Sequence, residues 1–245
     1  MVTEGNQQAT AERLSPAQRQ AAKFLARSQA ESASVTVFGE IDMTALQRYR
    51  AGLGEAPRPP KVTHFLLRAL AEALLEHRRL NAHLDDDSLK LFDEVNIGLA
   101  VALENGDLMT PVLRRLEAST LAEIAAEADA LVARTRRGEL ALADVKGAGF
   151  TLSNVGASPT ARWATPIVPM PQVAILAVGA IRETPVIADG ECRAAAIMPV
   201  SLSFDHRAIN GIAAAALLDS LAGLLAQPQQ LADGTAVGQQ GGRSG

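Results

Sequence analysis

The sequence is almost without cysteine. Cys192 is the single cysteine among 245 residues, so no internal disulfide can form, and no second thiol or histidine cluster lies near it at zinc-site spacing. The chain must fold on its apolar core, which a chain of this length can build. These features predict a reducing, cytoplasmic compartment.

The sequence also lacks an excess of positive charge and any long apolar run. It has 23 basic and 27 acidic residues, a net charge of −4, which argues against nucleic acid or an anionic membrane as a partner. The longest apolar stretch, 173–181, is interrupted by one glycine and falls far short of the roughly 20 residues that cross a bilayer. The polar amino terminus does not have the order of a signal peptide.

Several common catalytic motifs are missing. We find no G-x-G-x-x-G after a strand, no P-loop, no G-x-S-x-G and no H-E-x-x-H. The commonest nucleotide-binding, serine-hydrolase and zinc-protease functions are therefore excluded.

Helix and strand patterns alternate along the chain. Ser15 and Pro16 predict a helix start. Apolar and polar residues alternate over 34–42, which predicts a strand with one solvent-exposed face. Helical spacing continues at 17–28, from 44, and at 62–78, 120–137 and 208–225. Strands are predicted at 82–84, 89–92, 95–103, 149–153, 173–178 and 195–204, and a turn at 105–106 directs the chain towards 109–113. The order, without any repeat of 20 to 50 residues, predicts one α/β or α+β domain.

Three segments are predicted along the chain. Residues 1–13 lack periodicity and read as a flexible leader. Residues 14–232 form the folded domain, and 233–245 form a flexible polar tail.

One of the four histidines is a candidate for catalysis. His206 lies where an apolar strand gives way to an apolar helix, a place where side chains reach into clefts. The alternative is a structural, partly buried histidine. His64 opens a helix and His83 lies beside a turn, and we expect both to be structural. His77 lies at a helix end, where we expect a half-solvated surface imidazole favoured by the helix dipole.

Two polar residues accompany this candidate. Ser153 ends a predicted strand and could offer its hydroxyl to a ligand, or could simply cap the strand end. Asn210 follows His206 by one helical turn and could face the same space. Its alternative role is turn chemistry at the helix start.

The segment around His206 resembles the D-H-R-x-x-[DN]-G signature of the dihydrolipoamide acyltransferases, the core components of 2-oxo acid dehydrogenase complexes. Further motifs occur in the family's order and spacing: Leu14-Ser15-Pro16, Val35-Thr36 with Glu40 and Asp42, 96–101, Pro111-Val112, 150–156, 165–168 and 172–179. The resemblance to this catalytic domain covers residues 14 to 231.

The resemblance implies a chloramphenicol-acetyltransferase-like α/β fold, with a mixed sheet covered by helices. It implies a homotrimer with active sites at subunit boundaries, reached by coenzyme A and a lipoyl group from opposite ends of a channel. Carried over by position, His206 would be the general base, Ser153 the hydrogen-bond donor to the oxyanion and Asn210 the residue beside the base. No metal is implied. The lipoyl group would come from another domain or chain, and 2-oxo acid dehydrogenase subunits, such as those of pyruvate dehydrogenase, are candidate partners.

The sequence departs from the family in three places. Asn210 replaces the Asp of many members, which favours acetyl transfer. The loop at 157–163 carries Pro159 and Trp163 in place of glycine and is one residue longer, which leaves the acceptor open. The tail from Gly234 would hinder packing into cages, so an isolated trimer is expected.

Two other functions remain open. A free-standing enzyme could move an acyl group from coenzyme A to a small molecule or a carrier-bound acceptor. A non-catalytic trimeric assembly module could keep the fold alone, although such a scaffold has no physical need for Ser153, His206 and Asn210 together.

Overall fold

A computed structural model describes residues 13–54, 59–188 and 190–234. The described α-helices are α1 (Pro16–Glu31), α2 (Thr44–Gly52), α3 (Val62–Glu76), α4 (Leu121–Arg136), α5 (Gly211–Leu225) and α6 (Pro228–Asp233). Short 3-10 turns occur at Arg78–Leu80, Leu116–Ala118 and Leu142–Val145.

The strands form one large mixed sheet and one hairpin. They are β1 (Ser34–Asp42), β2 (Ala82–Asp85), β3 (Ser88–Leu91), β4 (Ile97–Ala102), β5 (Leu108–Met109), β6 (Val112–Leu113), β7 (Phe150–Asn154), β8 (Ala174–Val178), β9 (Arg182–Ala188) and β10 (Glu191–Asp205). The sheet order is β1-β10-β8-β7-β4-β5, with β6 also on β4 and β9 also on β10, while β2 and β3 pair separately. β7 is parallel to both β4 and β8. The predicted fold class is confirmed.

Local sequence explains the helix starts. The Ser15 side chain accepts a hydrogen bond from Gln18 N, and the Gln18 side chain accepts one from Ser15 N. Thr120 and Glu123 form the same reciprocal capping box at α4. Each box satisfies two backbone N–H groups that a helix start leaves without partners.

Helices α2 and α5 contact one face of the sheet, and α3, α4 and α6 pack around them. Val200, Leu202 and Phe204 of β10 are fully buried on this face, and a Cβ on Gly39 of β1 would touch Leu218 of α5. α3 packs against α4 and α5. This helix is buried on nearly every side because α4, α5 and α6 all contact it.

The opposite face is lined by small polar residues and is partly covered by the chain between β7 and β8. Thr36 and Ser203 share a hydrogen bond of 2.7 Å. Ser201 accepts one from Ala164 N, and Thr151 donates one to Gln172. This is the face on which the Ser153 side chain lies, because Ser153 pairs with Ala177 and Ala177 with Ser201.

Some predicted boundaries were wrong. The last long helix begins at Gly211 rather than 208, because residues 206–210 form a turn. β10 begins at Glu191, and β9, α6 and the two-residue strands β5 and β6 were not predicted. β9 is a sheet edge carrying Pro185, and β10 begins polar, so neither start shows a buried-strand pattern.

The termini are covered only in part. Residues 1–12 of the predicted leader and 235–245 of the predicted tail lie outside the described residues, and α6 extends through Asp233, one residue into that tail. No helix of the described residues is long and apolar enough to span a bilayer.

Candidate active site

His206 lies one residue beyond the end of β10. Its backbone N–H donates to Ala33 O at 2.9 Å, which extends the pairing of β1 and β10 by one step. The side chain is exposed, and its ring lies 5.7 Å from the ring of the buried Phe204. Within the described part of the chain the imidazole makes no hydrogen bond, so both nitrogens can serve a ligand.

The neighbouring carboxylate is hydrogen-bonded to groups other than that ring. Asp205 is 3% exposed, and its carboxylate accepts hydrogen bonds from the Arg207 guanidinium, the shortest at 2.6 Å, and from Arg207 N. Burial opposes the ionised form of Asp205, but these bonds from Arg207 hold its pKa below the ordinary value. Asp205 is therefore ionised at neutral pH.

Asn210 caps the helix that follows. Its backbone is extended, and its side-chain oxygen accepts a hydrogen bond from Ala213 N at 2.9 Å. The structure thus gives Asn210 the role of helix N-cap. The side chain is exposed at the same end of the sheet as His206.

Ser153 lies on a different part of the sheet. It is half-buried near the end of β7, between Ala100 of β4 and Ala177 of β8. A cavity of about 430 Å³ opens just beyond Ser153. It is lined by apolar side chains and glycines, such as Val178 and Gly156, and by the side-chain amide of Asn154.

The sheet register separates Ser153 from His206 within one chain. Ser153 and Ser201 lie in one row across β7, β8 and β10, and His206 is five residues farther along β10. At about 3.3 Å per residue and 4.8 Å per strand, the separation is roughly 16 Å along and 10 Å across the sheet. One copy of the chain does not bring the two side chains together.

The unusual loop crosses the polar face of the sheet. The Arg162 guanidinium stacks on the Trp163 ring at 4.7 Å and approaches Glu40 of β1 at 3.5 Å. Gly179 allows this passage, since a Cβ there would lie 2.3 Å from Arg162 O. The loop is thus packed on the sheet and does not extend freely into solvent.

The other three histidines contact groups within the fold. His77 ends α3 and pairs with Ser220 of α5 at 2.8 Å, and His83 contacts Ala148 O at 2.8 Å. His64 is buried, accepts a hydrogen bond from Lys61 N through Nδ1 and contacts Asp129 of α4 through Nε2.

Sequence reasoning missed the group that fixes the His206 turn. Asp205 also accepts a hydrogen bond from Ala33 N, far away in the sequence. The Asp-His-Arg order was visible, but nothing in the sequence places Ala33 beside it.

Comparison with protein families gives one match over most of the chain. The model of the 2-oxoacid dehydrogenases acyltransferase (catalytic domain) matches residues 6–232. The match begins inside the predicted leader.

Curated relatives agree with this match. The acetyltransferase component of the pyruvate dehydrogenase complex from Bacillus subtilis is 35% identical over 232 residues, which is 92% of this chain and 52% of the relative. The corresponding component from Staphylococcus aureus is 33% identical, over 93% of this chain and 54% of the relative. The chain spans about half the length of the curated relatives it matches.

Solved structures show the same fold. A probable dihydrolipoamide acetyltransferase from Listeria monocytogenes superposes with a TM-score of 0.85 at 27% identity, covering 94% of this chain and 98% of that one. The Azotobacter vinelandii dihydrolipoamide acetyltransferase gives 0.85 at 33% identity, covering 92% and 95%. Chloramphenicol acetyltransferase, at 16% identity with a TM-score of 0.53 over 83% of this chain and 94% of that one, shares the fold alone.

The Azotobacter structure comes from work on the roles of one serine, one histidine and one asparagine in that enzyme's catalytic mechanism. There the asparagine follows the histidine by four positions, as Asn210 follows His206. The serine-to-histidine separation is one residue shorter than that between Ser153 and His206. This difference equals the extra residue predicted for the 157–163 loop.

Proposed function

The chain belongs to the family of 2-oxoacid dehydrogenase acyltransferase catalytic domains, and on that premise we propose that it exchanges an acetyl group between a dihydrolipoyl thiol and coenzyme A. The observation that carries the proposal is the exposed imidazole of His206 on a turn whose backbone is held on both sides. Asn210 stands at the spacing from the histidine that the Azotobacter enzyme has, and Ser153 stands one residue farther from it. Both thiols are substrates here.

The proposed chemistry needs one base and one hydrogen-bond donor. A thiol with an ordinary pKa near 8.5 is mostly protonated at neutral pH. Neutral His206 accepts its proton, and the thiolate attacks the carbonyl carbon of the acyl thioester. The tetrahedral intermediate carries negative charge on oxygen, to which the Ser153 hydroxyl donates a hydrogen bond. The carbon–sulfur bond to the departing thiol then breaks, and imidazolium returns the proton to that sulfur.

The separation of Ser153 and His206 favours a site shared between two copies. Since one chain holds them roughly 16 Å apart along the sheet, both can reach one thioester only if each comes from a different subunit. We therefore include a homotrimer with sites at its boundaries in the proposal. The solved relative that is the cubic core of a pyruvate dehydrogenase complex, 33% identical with a TM-score of 0.85, is consistent with assembly.

Acetyl transfer between acetyl-CoA and dihydrolipoamide tests the activity. We expect the wild-type chain to be active, His206→Ala to lose at least about a thousandfold in kcat, and Ser153→Ala to lose about 100- to 1,000-fold. Glu139→Gln on an exposed surface serves as control and keeps full activity. An inactive wild-type chain on every thiol acceptor tried would contradict the proposal.

Mixing two inactive variants tests the shared site. In trimers formed from equal amounts of His206→Ala and Ser153→Ala chains, about a quarter of the boundaries combine an intact His206 with an intact Ser153. We expect about a quarter of wild-type activity after co-refolding, against almost none for either variant alone. No recovery, with trimers present by sedimentation, would mean that the two residues act within one chain or not at all.

The altered loop at 157–163 is the reason to test a second class of acceptor. The loop carries Pro159 and Trp163 in place of glycine, so a small-molecule or carrier-bound acceptor is the second candidate. If the wild-type chain acetylates dihydrolipoamide with ordinary efficiency, this second hypothesis loses its support. If the wild-type chain is active only with another acceptor, the second hypothesis is favoured. The assembly module is favoured if trimers form and no transfer occurs.

The proposed activity also implies protein partners. Dehydrogenase subunits and a lipoyl-bearing domain are expected partners, and sedimentation distinguishes an isolated trimer from a larger cage. The exposed Cys192 is compatible with the predicted reducing, cytoplasmic compartment.

A further inference from the structure

We propose that Asp205 is a positioning residue for this acyl transfer, which holds the turn that carries the His206 imidazole without touching either substrate. The inference rests on the proposed function and names a further residue on which that function depends. Four groups of contacts around the turn carry it.

The first contacts are to the backbone of the turn itself. Four consecutive N–H groups are held, all by Asp205 or Ala33: His206 N by Ala33 O at 2.9 Å, Arg207 N by Asp205 Oδ1 at 3.0 Å, and Ala208 N and Ile209 N by Asp205 O at 3.0 Å. A turn in which every N–H is satisfied has few alternative conformations. Asp205 provides three of these four acceptor contacts.

The second contact links the turn to the start of β1. Ala33 N donates to Asp205 Oδ1 at 3.3 Å, while Ala33 O accepts from His206 N. Ala33 thus donates a hydrogen bond to Asp205 and accepts one from His206. This pair fixes the end of β10 against the segment that joins α1 to β1.

The third contact keeps the carboxylate in place. Arg207 Nε lies 3.0 and 3.1 Å from the two Asp205 oxygens, and its terminal nitrogen lies 2.6 Å from Oδ2. The pair is bidentate, and the carboxylate side is buried, which makes the geometry more specific than that of an exposed ion pair. Both oxygens are occupied by Arg207 and Ala33, so the carboxylate is not the partner of the His206 ring.

The fourth contact supports the far side of the turn. Arg79 donates to Ala208 O at 2.8 Å. The imidazole makes no hydrogen bond in the described part of the chain, so its position is set by the backbone beneath it and by the Phe204 ring. A shift of about 1 Å in such a group can reduce a rate about 100-fold.

A set of four proteins tests the inference: wild type, Asp205→Asn, His206→Ala and the double variant. Asp205→Asn keeps the size and one acceptor oxygen but removes the charge that holds Arg207. We expect about a tenfold fall in kcat for Asp205→Asn with both KM values within about twofold, because the ground-state contacts remain while the base is displaced. Asp205→Ala, which removes all the side-chain acceptors, should lose about 100-fold.

The His206→Ala background separates positioning from folding. If Asp205 acts through the His206 ring, Asp205→Asn causes no further loss in the residual activity of His206→Ala, since coupled residues are strongly non-additive. A merely structural role lowers activity by the same factor in both backgrounds. Active-site concentration and melting temperature are measured for each protein, and Asp205→Asn remains informative if Asp205→Ala does not fold.

The matched control is a second pair at the same sequence spacing. Arg137 binds Glu139 through two hydrogen bonds, at 2.8 and 2.7 Å, on the exposed surface. Glu139→Gln should leave kcat unchanged. Full activity of Asp205→Asn and Asp205→Ala, or equal losses in both backgrounds, would overturn the inference, whereas an inactive wild-type chain would instead contradict the proposed function.

Discussion

At the residue scale, the polar side chains near His206 act mainly on the backbone. Asn210 satisfies a helix N–H group, and Asp205 holds a turn. The sequence identified Asn210 as a candidate because it follows His206 by four residues, but it did not identify Asp205. It could not distinguish a substrate contact from a backbone contact, because that depends on where each side chain points.

Exchange of Asn210 separates its capping role from its chemistry. Asn210→Ala removes the acceptor for Ala213 N and should reduce the free energy of unfolding by about 1 kcal/mol. Asn210→Asp keeps the cap and adds a charge that the helix start favours, so its stability should be at least that of wild type. Urea unfolding checks both variants, and equal stability of all three proteins would contradict the capping role.

His64 makes stability depend on pH. Burial, opposed by Asp129 and helped by Lys61 and Arg50, lowers the pKa of His64. Its Nδ1 accepts from Lys61 N, so a proton on that atom would break the cap of α3. The unfolded chain binds this proton near pH 6.5 and the folded chain only at lower pH, so stability falls as pH drops below 6.5.

A glutamine at this position removes the titration but keeps an acceptor. His64→Gln should retain an acceptor for Lys61 N and flatten the fall in unfolding free energy between pH 6.5 and 5. Urea unfolding at several pH values measures the slope. An unchanged slope would assign the pH dependence to other groups, such as Asp129.

At the element scale, close approaches decide where the connecting segments lie. The loop over the polar face reaches β1 only because Gly179 leaves room for Arg162 O. The helices and most strands were predictable from period and capping residues. β9 and α6 were missed because an edge strand and a two-turn helix bury few side chains, and burial is what produces a readable pattern.

Two glycine-to-alanine exchanges test this close approach. A Cβ at Gly179 would also lie 2.7 Å from Pro199, so Gly179→Ala must move the 157–163 loop. It should destabilise the fold and raise KM for the acceptor. Gly223 lies in α5 with nothing within 4 Å of a Cβ, and its exchange should stabilise the fold by about 0.5–1 kcal/mol. Thermal unfolding and acceptor kinetics measure both effects, and a neutral Gly179→Ala would contradict the packing argument.

At the scale of the whole molecule, a single chain leaves a long helix and a large apolar side chain exposed to solvent. α1 has 16 residues, of which Ser28 alone is buried. Phe38 of β1 is 52% exposed, in the same row of the sheet as Ser153. These features fit a neighbouring copy on the polar face, as the proposed shared site requires.

Charge on that face should separate the subunits. Phe38→Asp is expected to shift sedimentation from trimer to monomer and to remove transfer activity, with the far-UV circular dichroism unchanged. Leu142→Asp, at a site 69% exposed in a distant 3-10 turn, is the control and should remain an active trimer. An active Phe38→Asp trimer would place the boundary elsewhere.

The sequence by itself determined the fold class, most helices and strands, and the three residues proposed for catalysis. It could do so because local periods, caps and an ordered series of motifs are properties of neighbouring residues. Only the tertiary structure decided that Ser153 and His206 lie far apart in one chain, and that Asp205 is tied to Ala33. Both depend on strand register, which joins residues remote in sequence through backbone hydrogen bonds that no local pattern specifies.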